Sequence, residues 1–250
     1  MSTYPHPLVP KAEFVRIMRE HAEADRLVAG IYGDGKGKKF RGCAIGCGVQ
    51  TINRLTGSCH AFGDHAAVAD ALGIPLALAH LEDRIFEGLP EAERKAWPIA
   101  FAKAIPEGRD LAPAVPRILI RTLREVALPA VTVDEWGVRA AVEGVCVALE
   151  TGEGLREVAD AADHAYAAAD AADAANAAAG GADAYAAAAD AAYAAGRAAY
   201  DAADAVADAV AAYAAAARAA DPADAAARAA YAADAAYRTI ARIVLEEIAR

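Results

Sequence analysis

The chain is short of large side chains. Only 6% of its 250 residues are aromatic, and it has two tryptophans and two methionines. The nominal 57% hydrophobic content is therefore misleading, because much of it is alanine gathered in one region. Long apolar runs are also missing. A spanning helix needs roughly 20 mostly apolar residues, and here Asp, Tyr or Arg interrupts the alanines every few positions. Met1–Pro10 has no basic stretch followed by an apolar one, so no signal peptide is expected. Four cysteines are too few for a disulfide scaffold, which points to a reducing, cytoplasmic setting. Lysine is absent beyond Lys103. That argues against direct nucleic-acid binding by the second half, since phosphate binding depends on Lys/Arg neutralisation.

Charge and composition divide the chain. Residues 1–150 carry 18 Lys+Arg against 19 Asp+Glu, whereas residues 151–250 carry 7 against 16. Nearly all of the net charge of −10 thus lies in the last hundred residues. The boundary is placed at Thr151-Gly152-Glu153-Gly154.

Residues 1–150 read as a compact, mostly helical domain. Phe14, Val15, Ile17, Met18, His21 and Ala22 recur at spacings of three and four, predicting a helix to about Ala29. Ile31 to Gly37 holds three glycines and an Asp34-Gly35 pair, the mark of a tight turn or short hairpin. Gly42-Cys43-Ala44-Ile45-Gly46-Cys47 leads into a helix reaching about Leu55, stopped by Gly57. Gly42 and Gly46 permit close backbone approach. Helical spacing resumes at His65, with Gly73 as a C-terminal stop and Pro75 in the first turn of a helix from Leu76 to Glu87. Pro90 opens another element, and Pro98 and Pro106 are expected to interrupt the residues after it. Pro116 begins an amphipathic stretch through Leu119, Ile120, Leu123 and Val126. Thr132 and Glu135 form a capping-box pattern ahead of Trp136, Val138, Val142, Val145 and Leu149.

Residues 151–250 form an alanine-rich, acidic region. Alanine has the best helix propensity, so helices are expected near 155–179, 182–220 and 222–249, packed as an antiparallel hairpin or bundle. Gly180-Gly181 separates the first two, and Asp221-Pro222 starts the third. Asn176, Asp183, Asp190, Arg197 and Asp204 stand seven apart, as do Tyr193 and Tyr200, which leaves the opposite face almost pure alanine. Ile240, Ile243, Val244 and Ile248 make the strongest apolar stripe and are the expected anchor. The fold class is all-α.

Three groups could carry chemistry. Cys43, Cys47, Cys59 and His65, with His60 as substitute, are the candidate ligands of a zinc ion, which favours four N/S donors. Alternatively Cys43 or Cys47 is a nucleophile, since a helix N-terminus acidifies a thiol. His60, His65 or His80 would then be the base, and Asp64 or Asp83 the orienting acid. Against both stands the plain reading that Cys43, Cys47 and Cys146 are small buried residues, with no catalytic residue and no cofactor. Lys36, Lys38, Lys39 and Arg41 form a basic run that suits a small anionic ligand, although the spacing does not match a phosphate loop. Tyr193 and Tyr200 are candidate contact residues in the alanine-rich region.

The run Asp34-Gly35-Lys36-Gly37, the Gly42–Cys47 motif, Leu72-Gly73-Ile74-Pro75 and Leu81–Pro90 resemble a family of uncharacterised proteins from tailed bacteriophages and bacteria. Trp97-Pro98, Ala104–Leu111 and the alanine-rich tail complete the likeness, which covers nearly the whole chain. Lys38 to Arg41 is an insertion relative to that pattern. The resemblance implies a phage or bacterial origin, hence a host cytoplasm if phage-encoded, and no mechanism. The expected function is a non-catalytic binding protein. It would self-associate through its alanine-rich helices and engage a host or phage protein, or a small anionic ligand. A small cysteine- or zinc-dependent enzyme is the alternative, and an acidic nucleic-acid mimic the second alternative.

Overall fold

The computed structural model describes residues 2–35, 37–130, 138–151 and 222–250. The fold is all-α, and no strand forms among the described residues. Two compact units are present: residues 1–115 with 244–250, and residues 116–243. The expected boundary at 151–154 falls mostly outside the described residues.

In the first unit, α1 (Lys11–Glu23) packs on α2 (Ala44–Thr56) and on α6 (Trp97–Ala104), while α2 packs on α3 (His65–Leu72) and α4 (Leu76–Gly88). A short α5 (Glu91–Arg94) precedes α6. The core between them is built from Phe14, Ile17 and Met18 of α1, Ile45, Val49 and Ile52 of α2, Leu78, Ile85 and Phe86 of α4, and Phe101 of α6. These are the apolar positions of the helical repeats.

Helix α1 ends six residues before the expected Ala29. The Arg26 N–H donates to His21 O at 2.9 Å and the Asp25 N–H to Ala22 O at 3.1 Å. Asp25 has a φ of 55°. This is a Schellman ending with Asp25 in the place usually held by glycine. The chain then runs extended, with Leu27 bridging to Gly42 in parallel and Asp34 to Arg41 in antiparallel sense. The glycine-rich segment is thus a turn closed by one bridge, with Gly35 and Gly37 both at positive φ. Helix α2 stops at Gly57 (φ 75°) and α3 at Gly73 (φ 65°), as their positions in the sequence require. Pro98 does not interrupt a helix; it lies in the first turn of α6, where its missing N–H has no helical partner to lose.

An N-terminal strap closes this unit. The Tyr4 N–H donates to Leu72 O at 2.7 Å and the Tyr4 hydroxyl to Ala102 O at 2.8 Å. The Thr3 N–H donates to Arg109 O at 2.9 Å. The Arg109 guanidinium in turn donates to the carbonyl of Arg250 at 2.6 Å. In the final turn, Glu247 is buried and pairs with Arg250 at 3.0 Å, and Val244 and Ile248 are fully buried.

In the second unit, which begins at Pro116 within α7 (Ala114–Thr122), that helix continues through a π turn (Leu123–Ala127) into α8 (Leu128–Ala130). Pro129 explains the widening, because a proline inside a helix clashes with the carbonyl four residues back. Next come α9 (Val138–Thr151) and α10 (Pro222–Ala249), whose last residues belong to the first unit. Val142, Val145 and Cys146 of α9 are buried, as are Ile240 and Ile243 of α10. Arg124 pairs with both Glu143 and Glu150, and Arg242 with Glu125. The capping box at 132–135 and the helices expected near 155–179 and 182–220 lie outside the described residues. The expected helix near 222–249 is α10. No described helix is long and apolar enough to cross a membrane.

Candidate functional site

The polar groups of the first unit gather where the N-terminus of α2 meets α4. Cys43 is the N-cap of α2, and its Sγ accepts from the Gly46 N–H at 3.5 Å. The segment before it is held close, with the Cys43 N–H donating to Ile31 O at 2.6 Å. On α4, Asp83 and Glu87 stand four residues apart and so share a face. One ligating atom each from Cys43, Asp83 and Glu87 lies within 4.8 Å of the other two. Among the described residues no other trio of His, Cys, Asp or Glu converges in this way.

His65, the first residue of α3, completes the cluster. Its Nε2 lies 3.1 Å from Asp83 Oδ2 and its Nδ1 3.0 Å from Gly63 O. The Gly63 carbonyl can only accept, so the hydrogen bond at Nδ1 is one that the ring donates. The ring is fixed on two further sides. His80 stacks on it with centroids 4.2 Å apart, and Tyr32 meets it edge-on at 5.7 Å. Glu87 is oriented by the Gly30 N–H, which donates to its two oxygens at 2.9 and 3.1 Å.

The electrostatics of the cluster oppose a free thiolate. Burial, and then the Asp83 carboxylate beside the sulfur, push the Cys43 thiol far above its ordinary value. Burial pushes Cys47 up to about 12. Glu82, the neighbour of Asp83, is fully enclosed, and its carboxyl is raised well above the ordinary range by burial and then by Asp83 and Glu87. It lines a cavity of about 20 Å³ walled otherwise by apolar side chains such as Phe14, Met18, Ile45 and Phe101. That is space for about one water.

The expected site residues scatter. Cys43 sits at the helix start, as expected for a nucleophile, but a carboxylate faces its sulfur, and no hydrogen bond joins it to a histidine among the described residues. Cys47 is buried, and its thiol points to the Gly42 carbonyl at 3.6 Å. Cys59 is exposed. His60 lies 3.7 Å from Asp64, which is the N-cap of α3 and accepts from the Ala67 N–H at 2.9 Å. The zinc set Cys43, Cys47, Cys59 and His65 therefore does not converge. Arg41 pairs loosely with Asp34 at 3.9 Å, both exposed, and Lys39 is exposed on the same loop. Lys36, Tyr193, Tyr200 and the side chain of Lys38 lie outside the described residues. Trp97 is a packing anchor, donating from Nε1 to Glu82 O at 2.9 Å.

Sequence reasoning missed Glu87 and Tyr32 as members of the cluster. The available signal for Glu87 was its spacing from Asp83. Nothing in the sequence marks Tyr32. No protein-family model, curated protein or solved structure matches the chain.

Proposed function

We propose that the protein is a non-catalytic binding and interaction protein of a bacterial or phage-infected cytosol. In this reading it self-associates through its acidic, alanine-rich region and engages a partner protein or a small anionic ligand. The observation that carries it is the setting of Cys43. A nucleophilic cysteine needs a thiolate, hence a nearby imidazolium or other positive charge. Cys43 has Asp83 and Glu87 instead, and His65 is engaged by Asp83.

The test is thiol labelling of native protein at neutral pH, read residue by residue by mass spectrometry. Cys59 should react like an ordinary exposed thiol, and Cys43 and Cys47 should react only on unfolding. A Cys43 that labels faster than Cys59 in native protein overturns the non-catalytic reading. Light scattering on the same sample tests self-association, with a monomer at all concentrations counting against it.

A further inference from the structure

We propose that Cys43, Asp83 and Glu87 form a site for one divalent cation of the zinc class. These residues differ from the cysteine set considered from the sequence, sharing only Cys43 with it.

Four observations support the site. The three donors come from two helices packed against each other, and their ligating atoms lie within 4.8 Å of one another. Two donors at about 2.0–2.3 Å from a tetrahedral zinc stand about 3.3–3.5 Å apart, so side-chain movements of up to about 1.5 Å would close the site around the ion. Second, Asp83 is 7% exposed, and its Oδ1 makes no hydrogen bond among the described residues. A buried carboxylate oxygen without a partner is costly, and this one belongs to a residue facing the other two donors. Third, the supporting shell is the one that metal ligands use. Asp83 Oδ2 is held by His65, Glu87 by the Gly30 N–H and Cys43 by the Gly46 N–H. Fourth, no lysine or arginine forms an ion pair with Asp83 or Glu87 among the described residues. His65 meets Asp83 at 3.1 Å, and Arg94 and Arg84 act on Glu87 only through space, whereas a divalent cation among the three donors would supply charge at the site itself.

The donor chemistry selects the class. A thiolate disfavours magnesium and calcium, which take oxygen donors, and favours a borderline-soft ion that accepts sulfur and oxygen together. Three protein donors leave one position of a tetrahedral ion open to water or another ligand. On binding, the Cys43 S–H loses its proton to solvent and the sulfur pair is donated to the metal.

The experiment uses the full chain stripped with chelator, then titrated with Co²⁺ alone as the spectroscopic substitute for Zn²⁺. One equivalent should produce a thiolate-to-cobalt charge-transfer band, and one equivalent of Zn²⁺ should abolish it. Cys43→Ser should remove the band. Asp83→Asn and Glu87→Gln should each weaken cobalt binding at least about tenfold. Cys47→Ser and Cys59→Ser should leave band and affinity unchanged. The proposal is overturned if wild-type protein gives no band. It is also overturned if the band survives Cys43→Ser, or if it depends on Cys47 or Cys59 and not on Asp83. Should Cys43→Ser fail to fold by circular dichroism, the near-isosteric Asp83→Asn decides. A melting temperature of wild-type protein that Zn²⁺ does not raise counts against the site as well.

Discussion

The carbonyl oxygen of Tyr32 fills the space that a side chain at position 46 would need. A β-carbon built on Gly46 would stand 1.4 Å from that oxygen, and one on Gly42 would stand 2.3 Å from it. The two glycines of the Gly-Cys motif therefore serve one purpose, which is to let the 27–35 segment lie directly on the start of α2. That contact brings Gly30 and Tyr32 to Glu87 and His65.

Gly46→Ala should accordingly displace backbone, not only a side chain. We expect a loss of at least about 3 kcal/mol, above the usual cost of overpacking because the obstacle cannot rotate away. Gly48→Ala, two residues on, is the control. Its β-carbon would meet Val68 Cγ2 at 3.5 Å and Phe14 Cζ at 3.8 Å, which is ordinary contact. Its expected effect runs from neutral to about 1 kcal/mol stabilising, from helix propensity. Urea unfolding midpoints of the two variants separate the cases.

Two buried groups should give opposite pH slopes. His21 is 1% exposed, and burial, then Arg26 and Arg54, push its imidazole down to about 4 from 6.5. The unfolded chain therefore binds a proton near pH 6.5 that the native state refuses. Stability from this group is complete above 6.5 and is lost as pH falls towards 4, by about 3 kcal/mol at most. Glu82 works the other way. Its native carboxyl is raised above its ordinary 4.5, so the native state keeps a proton that the unfolded state releases. Its contribution is complete below about 4.5 and is lost as pH rises. His21→Leu should flatten the acid limb, and Glu82→Gln should raise the melting temperature at pH 7 while leaving pH 4 nearly unchanged. Thermal melts from pH 4 to 8 on both variants check the signs.

Ile248 is fully buried in the last turn of α10. Ile248→Ala should cost roughly 2–4 kcal/mol, as large-to-small core changes do. Denaturation monitored at Trp97, in the first unit, should show the loss. A cost below about 0.5 kcal/mol would mean that these last residues contribute little.

Much of the first unit is legible in the sequence because its punctuation is local. Gly57 and Gly73 end helices, and Cys43 begins one, for reasons contained within a few residues. The stripe Leu78, Leu81 and Ile85 already places Glu82 on the buried face, although a run of Glu82, Asp83 and Arg84 reads as a solvated surface. The end of α1 is not legible, since Asp25 in a left-handed conformation is a choice that sequence favours in glycine and only tolerates in aspartate. The cluster is partly legible, because Cys43, His65 and Asp83 stand out by residue type and position. Their arrangement is not, because it depends on how α2, α3 and α4 pack, which spacing along the chain does not encode. The same limit applies to the zinc set, where proximity in sequence suggests a convergence that the helices do not produce.

The return of residues 244–250 to the first unit sets an order of events during synthesis. The 115 residues that make most of that unit leave the ribosome before the segment that finishes it. At about 5–20 residues per second, the delay is on the order of seven to twenty-seven seconds. Until then, the places filled by Val244, Glu247 and Ile248 stand open, and the growing chain must wait in an unfinished state. The alanine-rich stretch must therefore be made before the beginning of the chain can finish folding.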